Sequence, residues 1–212
     1  MEDSILGDSL YRLKNSDLQR GTDVLVRAFR EDTLTHYFIP PCDNWNSLAA
    51  KYFAFRLRFG IIYGEVYASS SEIEGLAAWF TPGKSDMTNF RMIRAGGMSL
   101  SRDMGKDIIA RMNMIGEYTS RMRKQHVLEP HWHLFPIAVD PEFQGKGHAS
   151  TLMKPMLARI ADEGLSCYLE TQNEKNVSLY EHFGFEVIHT DVIPGIDMEH
   201  WGMLYHGNEA TD

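Results

Sequence analysis

Apolar and polar positions divide the 212-residue chain into alternating strand-like and helix-like segments. Leu10 to Leu13 reads as a short strand. Ser16 or Asp17 then caps a helix on which Leu18, Val24, Leu25, Ala28 and Phe29 recur at helical spacing. Pro40-Pro41 breaks the chain within 37–41, and an aromatic-rich helix runs from about Trp45 to Phe59. Two strands follow, Gly60 to Ala68 and Ile73 to Phe80, joined by Ser69-Ser70-Ser71-Glu72. From Thr81 to Pro130 the pattern is mostly helical, punctuated by Pro82-Gly83 and Gly96-Gly97. The second half starts with a strand over 131–139, then a helix from about His148 to Glu163 that Gly164 stops. Strand Ser166 to Thr171 leads to a helix capped by Asn173 and ended by Gly184. Strand Phe185 to His189 and a C-terminal strand around Met198 to Tyr205 finish the chain. Without repeats or low-complexity tracts, this order predicts one α+β domain.

The chemistry concentrates where strand 131–139 runs into helix 148–163. Gly145 and Gly147 lie in the joining loop, so the main chain can approach a ligand closely and unpaired amides gather at a helix N-terminus, which is a seat for an anion. Two familiar phosphate loops are excluded. Lys146 lies between the glycines, whereas GxxxxGK[ST] needs it after the second, and no third small residue completes GxGxxG. Pro136 interrupts the strand, and because proline cannot donate a ladder hydrogen bond, pairing should bulge or end there. Backbone groups of Phe135, Ile137 and Val139 would then be free to pair with an amide-bearing ligand.

From Gln144 the loop reads Q-x-x-G-x-A after a strand ending Val-Asp-Pro, and Asn173 to Phe185 reads N-x-x-x-x-x-L-Y-x-x-x-G-F. In this order the two motifs resemble the acetyl-CoA pyrophosphate loop and the closing helix of the GNAT acyltransferase superfamily. The likeness is good over 131–205 and covers the first half in outline. It implies a GNAT-type acyl-CoA N-acyltransferase fold, a mixed and mostly antiparallel sheet splayed at the cofactor strand and flanked by helices. A single domain would span 1–212, with a lid-like helical insertion at about 82–128. Acetyl-CoA is the implied co-substrate, held along Phe135, Ile137, Ala138 and Val139, at Gln144, Gly145, Lys146, Gly147, His148, Ala149 and Ser150, and near Asn173, Asn176 and Tyr180. Ala77-Ala78-Trp79-Phe80-Thr81-Pro82, His131-Trp132-His133-Leu134 and Trp201-Gly202-Met203 are similar to the branch containing puromycin N-acetyltransferase. That likeness implies an aminoacyl-nucleoside-like or other small amine acceptor.

Tyr180 matches the family's tyrosine that protonates the departing thiolate, as a phenol protonated at neutral pH can. An alkylamine must lose a proton before attack, and Glu170, His133, Glu65 and Glu74 are the groups available as base; Glu170 and His133 lead because they flank the expected splay. Met87, Met92, Met98, Met104, Met112, Met114 and Met122 enrich the insertion, which fits an adaptable wall over an acceptor pocket.

Composition narrows the partners. Net charge is −8 and the pI about 5.6, which argues against a nucleic-acid surface and favours cationic or neutral acceptors. Cys42 and Cys167 encode neither a disulfide framework nor a zinc site, and His126, His131 and His133 lack an acidic or thiol third ligand, so no metal is expected. No apolar run is long enough to span a membrane. Met1-Glu2-Asp3-Ser4 lacks a basic leader, so a cytoplasmic location is expected. The C-terminal strand leaves monomer and homodimer both open. Two other readings stand beside the small-amine enzyme: acetylation of a protein N-terminus or lysine, and a non-catalytic CoA-binding module.

Overall fold

The computed structural model describes residues 10–207. One seven-stranded sheet organises the fold, in the order β1-β2-β3-β4-β5-β7-β6. The strands are β1 Tyr11–Arg12, β2 Glu65–Ala68, β3 Gly75–Phe80, β4 His131–Val139, β5 Ser166–Thr171, β6 Glu186–Val192 and β7 Glu199–Tyr205. Only β4 and β5 run parallel. The acyltransferase fold and the α+β class inferred from the motifs are what the chain adopts. Met1 to Ser4, read above for a leader, lie outside the described residues.

Strand β3 explains the layering. It is buried along its whole length, and alternation sends its side chains to two different cores. Leu76, Ala78 and Phe80 meet α1 (Leu18–Ala28), α3 (Trp45–Tyr63) and α6 (Lys106–His126), whereas Ala77 and Trp79 meet Leu152, Met153, Met156 and Ile160 of α7 (His148–Asp162).

Several sequence boundaries needed correction. The strand expected from Gly60 is the last turn of α3, which runs on to Tyr63; only Glu65–Ala68 is extended. Continuous apolar residues do not distinguish a buried helix from a buried strand. Strand β3 starts at Gly75, because Ile73 sits in a turn at φ 61. The break at Pro40-Pro41 follows a short helix, α2 (Thr33–Phe38), with Asp32 accepting from the Thr35 amide. Asp17 does not cap α1 with its side chain; its carboxylate instead takes the Tyr11 hydroxyl and the Lys14 amide. The insertion forms α4 (Asn89–Arg94), α5 (Gly97–Met104) and α6. No helix among the described residues is long and apolar enough to cross a membrane.

One ion pair, with its carboxylate buried and its guanidinium half-exposed, fixes the end of β4. Asp140, 3% exposed, accepts from Arg27 Nε at 2.8 Å and from Nη2, and also takes the Glu142 amide. This ties α1 to the loop that follows the strand. Asp140→Ala should lower stability by about 1.5–3 kcal/mol, the usual worth of a buried hydrogen bond to a charged group. Breaking the exposed Arg20–Glu72 pair should cost less than about 1 kcal/mol. Urea unfolding of Asp140→Ala and Arg20→Ala measures both.

Candidate functional site

The central feature is a parting of strands. β4 and β5 pair only at His131, Trp132 and His133 against Ser166, Cys167 and Tyr168. On the other side of β4 the register slips, with Ala77 opposite Ile137 but Trp79 opposite Leu134. Phe135 and Pro136, joined by a cis peptide bond, therefore bulge together against Ala78, as a proline inside a strand requires. Beyond His133 the two strands diverge, and a cavity of about 80 Å³ opens between them.

Leu134 to Ile137 and Leu169 to Gln172 line two sides of this cavity, Asn176 and Tyr180 of α8 (Glu174–Glu181) a third, and residues from 29–38 and α3 close it. Of the residues singled out from sequence, Phe135, Ile137, Glu170, Asn176 and Tyr180 reach the cavity directly. His133 lies immediately behind Glu170. No described residue of 82–128 lines the cavity; among that segment's methionines, Met87 touches Arg56. The insertion packs elsewhere, with α6 over the polar face of β4, β5 and β7.

Tyr180 is buried, and its hydroxyl has no hydrogen-bond partner among the described residues. Burial pushes the phenol up to about 12, so it stays protonated across the physiological range. Asn173 caps α8 by accepting from the Lys175 amide, as its position implied, and Asn176 Nδ2 donates to Thr171 Oγ1 at 3.4 Å.

Glu170 and His133 form the polar floor. Their facing atoms, Oε2 and Nε2, stand 3.5 Å apart, and neither has any closer partner. Burial opposes ionisation of Glu170, yet His133 beside it and the Arg123 guanidinium beyond outweigh this and hold the carboxyl below its ordinary range. His133 is likewise held low, by burial first and then by Arg123 and Arg56, against the pull of Glu170. At neutral pH the ring is therefore neutral and the pair carries one negative charge. Arg123 Nη1 lies 3.4 Å from His133 Nδ1, which leaves the ring proton on Nε2, toward the carboxylate. The other two candidate bases are occupied away from the cavity. Glu65 pairs with Arg159 at 2.7 Å, and Glu74 accepts from the Ser69 and Ser70 hydroxyls.

Behind this pair lies a cluster that local patterning did not reveal. Gly202 stands opposite both Glu170 and His189 in the sheet, and a Cβ there would fall 2.0 Å from His189 Nε2. The missing side chain lets that imidazole lie across β7 to reach the Tyr168 hydroxyl at 3.3 Å. His200, fully buried, takes Gln172 Nε2 at 2.8 Å. Among the described residues no group of His, Cys, Asp or Glu is arranged to hold a metal.

The loop after β4 meets the requirements of an anion seat. Gly145 and Gly147 adopt φ 74° and 87°, and nothing lies within 4 Å of where a Cβ would project. The glycines therefore answer to the backbone turn and to the open face, not to crowding. Amides of Gly145 to Ser150 find no acceptor among the described residues. Gln144 Nε2 donates to the Val139 carbonyl at 3.2 Å, tying the loop to the strand. Lys146 folds back onto the Glu142 carbonyl at 2.9 Å and the Phe143 ring.

The parted strand pair, the glycine loop beyond it and the protonated phenol of α8 sit within an acyltransferase fold. The chain belongs to the acetyltransferase (GNAT) family, whose sequence model matches residues 79–185. Members of this family use acetyl-CoA, and the free amides and unpaired strand edge suit its pyrophosphate and pantetheine arm. An uncharacterized N-acetyltransferase of Schizosaccharomyces pombe is 26% identical over 182 residues, 82% of this chain and 72% of the relative. Mycothiol acetyltransferase of Propionibacterium freudenreichii is 35% identical over 66 residues, which span 30% of this chain and 21% of that protein. The crystal structure of a histone acetyltransferase-related protein of Corynebacterium glutamicum superposes with a TM-score of 0.65, at 22% identity, over 96% of this chain and 98% of that one.

The histidine cluster has a measurable signature. Burial first, then His200 and His126, lower His189 to about 4, below an unfolded histidine near 6.5. Its contribution to stability is therefore present above about pH 6.5 and lost as pH falls toward about 4. His189→Gln should flatten the fall of melting temperature across that window; an unchanged slope would show that His189 is not the group being titrated.

Proposed function

We propose that the protein is an acetyl-CoA-dependent N-acetyltransferase that moves an acetyl group directly to the primary amine of a small molecule. The observation carrying this reading is the cavity between β4 and β5, which both the Tyr180 phenol and the Glu170 carboxylate enter. Its small volume and its aromatic wall of Phe29, Phe38, Tyr52 and Phe53 favour a compact acceptor over a protein segment. A small aminoacyl-nucleoside or antibiotic-like amine, as resemblance to the puromycin N-acetyltransferase branch implied, belongs to this class.

Acetyl-CoA supplies the activated acetyl thioester. The β4 edge that faces β5 beyond His133, at Phe135 to Ile137, holds its arm, and the Gly145 to Ser150 amides hold its pyrophosphate. Glu170 binds the acceptor's ammonium group and takes the proton it sheds, with His133 Nε2 steadying the carboxyl group, and the freed amine attacks the thioester carbonyl. Tyr180 supplies a proton to the sulfur that departs. A buried phenol is a weaker acid than one in water, but a thiolate leaving into the same dry cavity is also a stronger base, so the two remain matched. An acyl-enzyme is not invoked: Cys167 is fully buried in the far core and burial pushes its thiol well up.

Acetyl-CoA should raise the melting temperature, and thiol release with an amine panel should follow; no thermal shift would overturn the reading. Tyr180→Phe should lower kcat by about 10²–10⁴-fold while acetyl-CoA affinity changes little. Equal losses in both would remove its role as acid. Gly147→Val, forcing a branched side chain to φ 87°, should do the reverse and weaken acetyl-CoA binding about tenfold or more, as read by calorimetry.

A further inference from the structure

Helix α3 is apolar along the stretch that faces the cavity, with one exception. Arg56 follows Phe55 and precedes Leu57, and its guanidinium enters the cavity wall. It lies over the Phe135 ring, 4.1 Å from the centroid, and its Nη1 donates to the Met87 sulfur at 3.2 Å. These are weak partners for a cation. No carboxylate or carbonyl among the described residues pairs with it.

Other partly buried guanidinium groups in the fold do have oxygen partners. Arg27 holds Asp140, Arg159 holds Glu65, Arg123 holds Asp86, and Arg111 holds the Phe38 carbonyl. The acids near Arg56 are already committed. Asp32 receives the Thr35 amide and hydroxyl, Asp86 is taken by Arg123 and Lys124, and Glu170 faces His133. Arg56 lines the cavity, none of its remaining donors is among the fully buried unpaired atoms of the described residues, and the charge acting on it from this site is that of Glu170. Burying a guanidinium without an oxygen partner costs stability, and here burial disfavours its charge. Its planar fork, held over an aromatic ring, matches a planar, two-oxygen anion.

We propose that Arg56 is the anion-binding point of the acceptor subsite, and that the preferred acceptor is an amine that also bears a carboxylate, such as an amino acid. This rests on the acetyltransferase reading above and specifies its substrate class. The ammonium end meets Glu170 and the carboxylate end meets Arg56, so both cavity charges are answered by one zwitterion. The chain's overall negative charge pointed toward cationic or neutral acceptors; the local field of one guanidinium reverses that expectation for one end of the molecule.

The test compares α- and ω-amino acids with their carboxamides, their decarboxylated amines and the corresponding aminophosphonates, by thiol release. In at least one series kcat/KM should favour the carboxylate over the carboxamide by about ten- to hundredfold, the discrimination expected of a charge-assisted hydrogen-bond pair. In Arg56→Gln and Arg56→Met that ratio should fall to within about threefold of one. An unchanged acetyl-CoA thermal shift identifies the variants as folded. A wild-type enzyme that acetylates amines without charge preference, or prefers the phosphonate, refutes this proposal alone. So does a carboxylate preference that survives in a folded variant. Acetylation of no amine, with acetyl-CoA still bound, refutes the proposed function and this proposal with it.

Discussion

The parallel pairing of β4 with β5 lasts three residues and then stops, and that interruption makes room for everything else. A sheet continuing to Val139 would be closed and inert. Pro136 cannot donate to a ladder, Phe135 and Pro136 bulge against Ala78, and the strand turns its free edge away from β5. The same interruption frees the edge of β4 that faces β5 and opens the cavity between the two strands. Because β3 is buried on both faces and anchors β4 by pairs on either side of the bulge, the sheet tolerates the gap without losing its core.

The second condition is electrostatic. A carboxylate, an imidazole and two guanidinium groups are brought close together at and behind the cavity wall, and their arrangement resists collapse into mutual neutralisation. Arg123 is spent on Asp86 and on His133 Nδ1; Glu170 faces the neutral edge of that ring; Arg56 is stacked on Phe135. Helix α6 supplies Arg123 and the Tyr118 hydroxyl that donates to Asp191 at 3.3 Å, and so seals the polar side of the sheet. The methionine-rich segment thus acts as support for the charged floor, whereas 29–38 forms the nearer wall.

Much of this was legible in the chain. The loop glycines, Pro136, the Asn173 cap and Tyr180 are local devices whose consequences unfold within a few residues, and the family resemblance lay in them. Glu170 and His133 were recoverable because each sits on a strand bordering the expected splay. Arg56 was not chosen, although a lone arginine between Phe55 and Leu57 in an apolar helix was the available signal. His189 and His200 carried no signal at all: their meeting depends on β6 and β7 pairing across the small Gly202, a contact set by long-range register. Similarly, burial blurs the periodicity in the second half of α3, where Gly64 at the helix C-cap was the available stop signal.

The bond between Arg27 and Asp140 has a further implication. Asp140 opens the glycine loop after β4, and Arg27 lies in the last turn of α1, just before the residues that wall the cavity. One strut, its carboxylate buried and its guanidinium half-exposed, therefore sets the position of the loop and of the nearer cavity wall together.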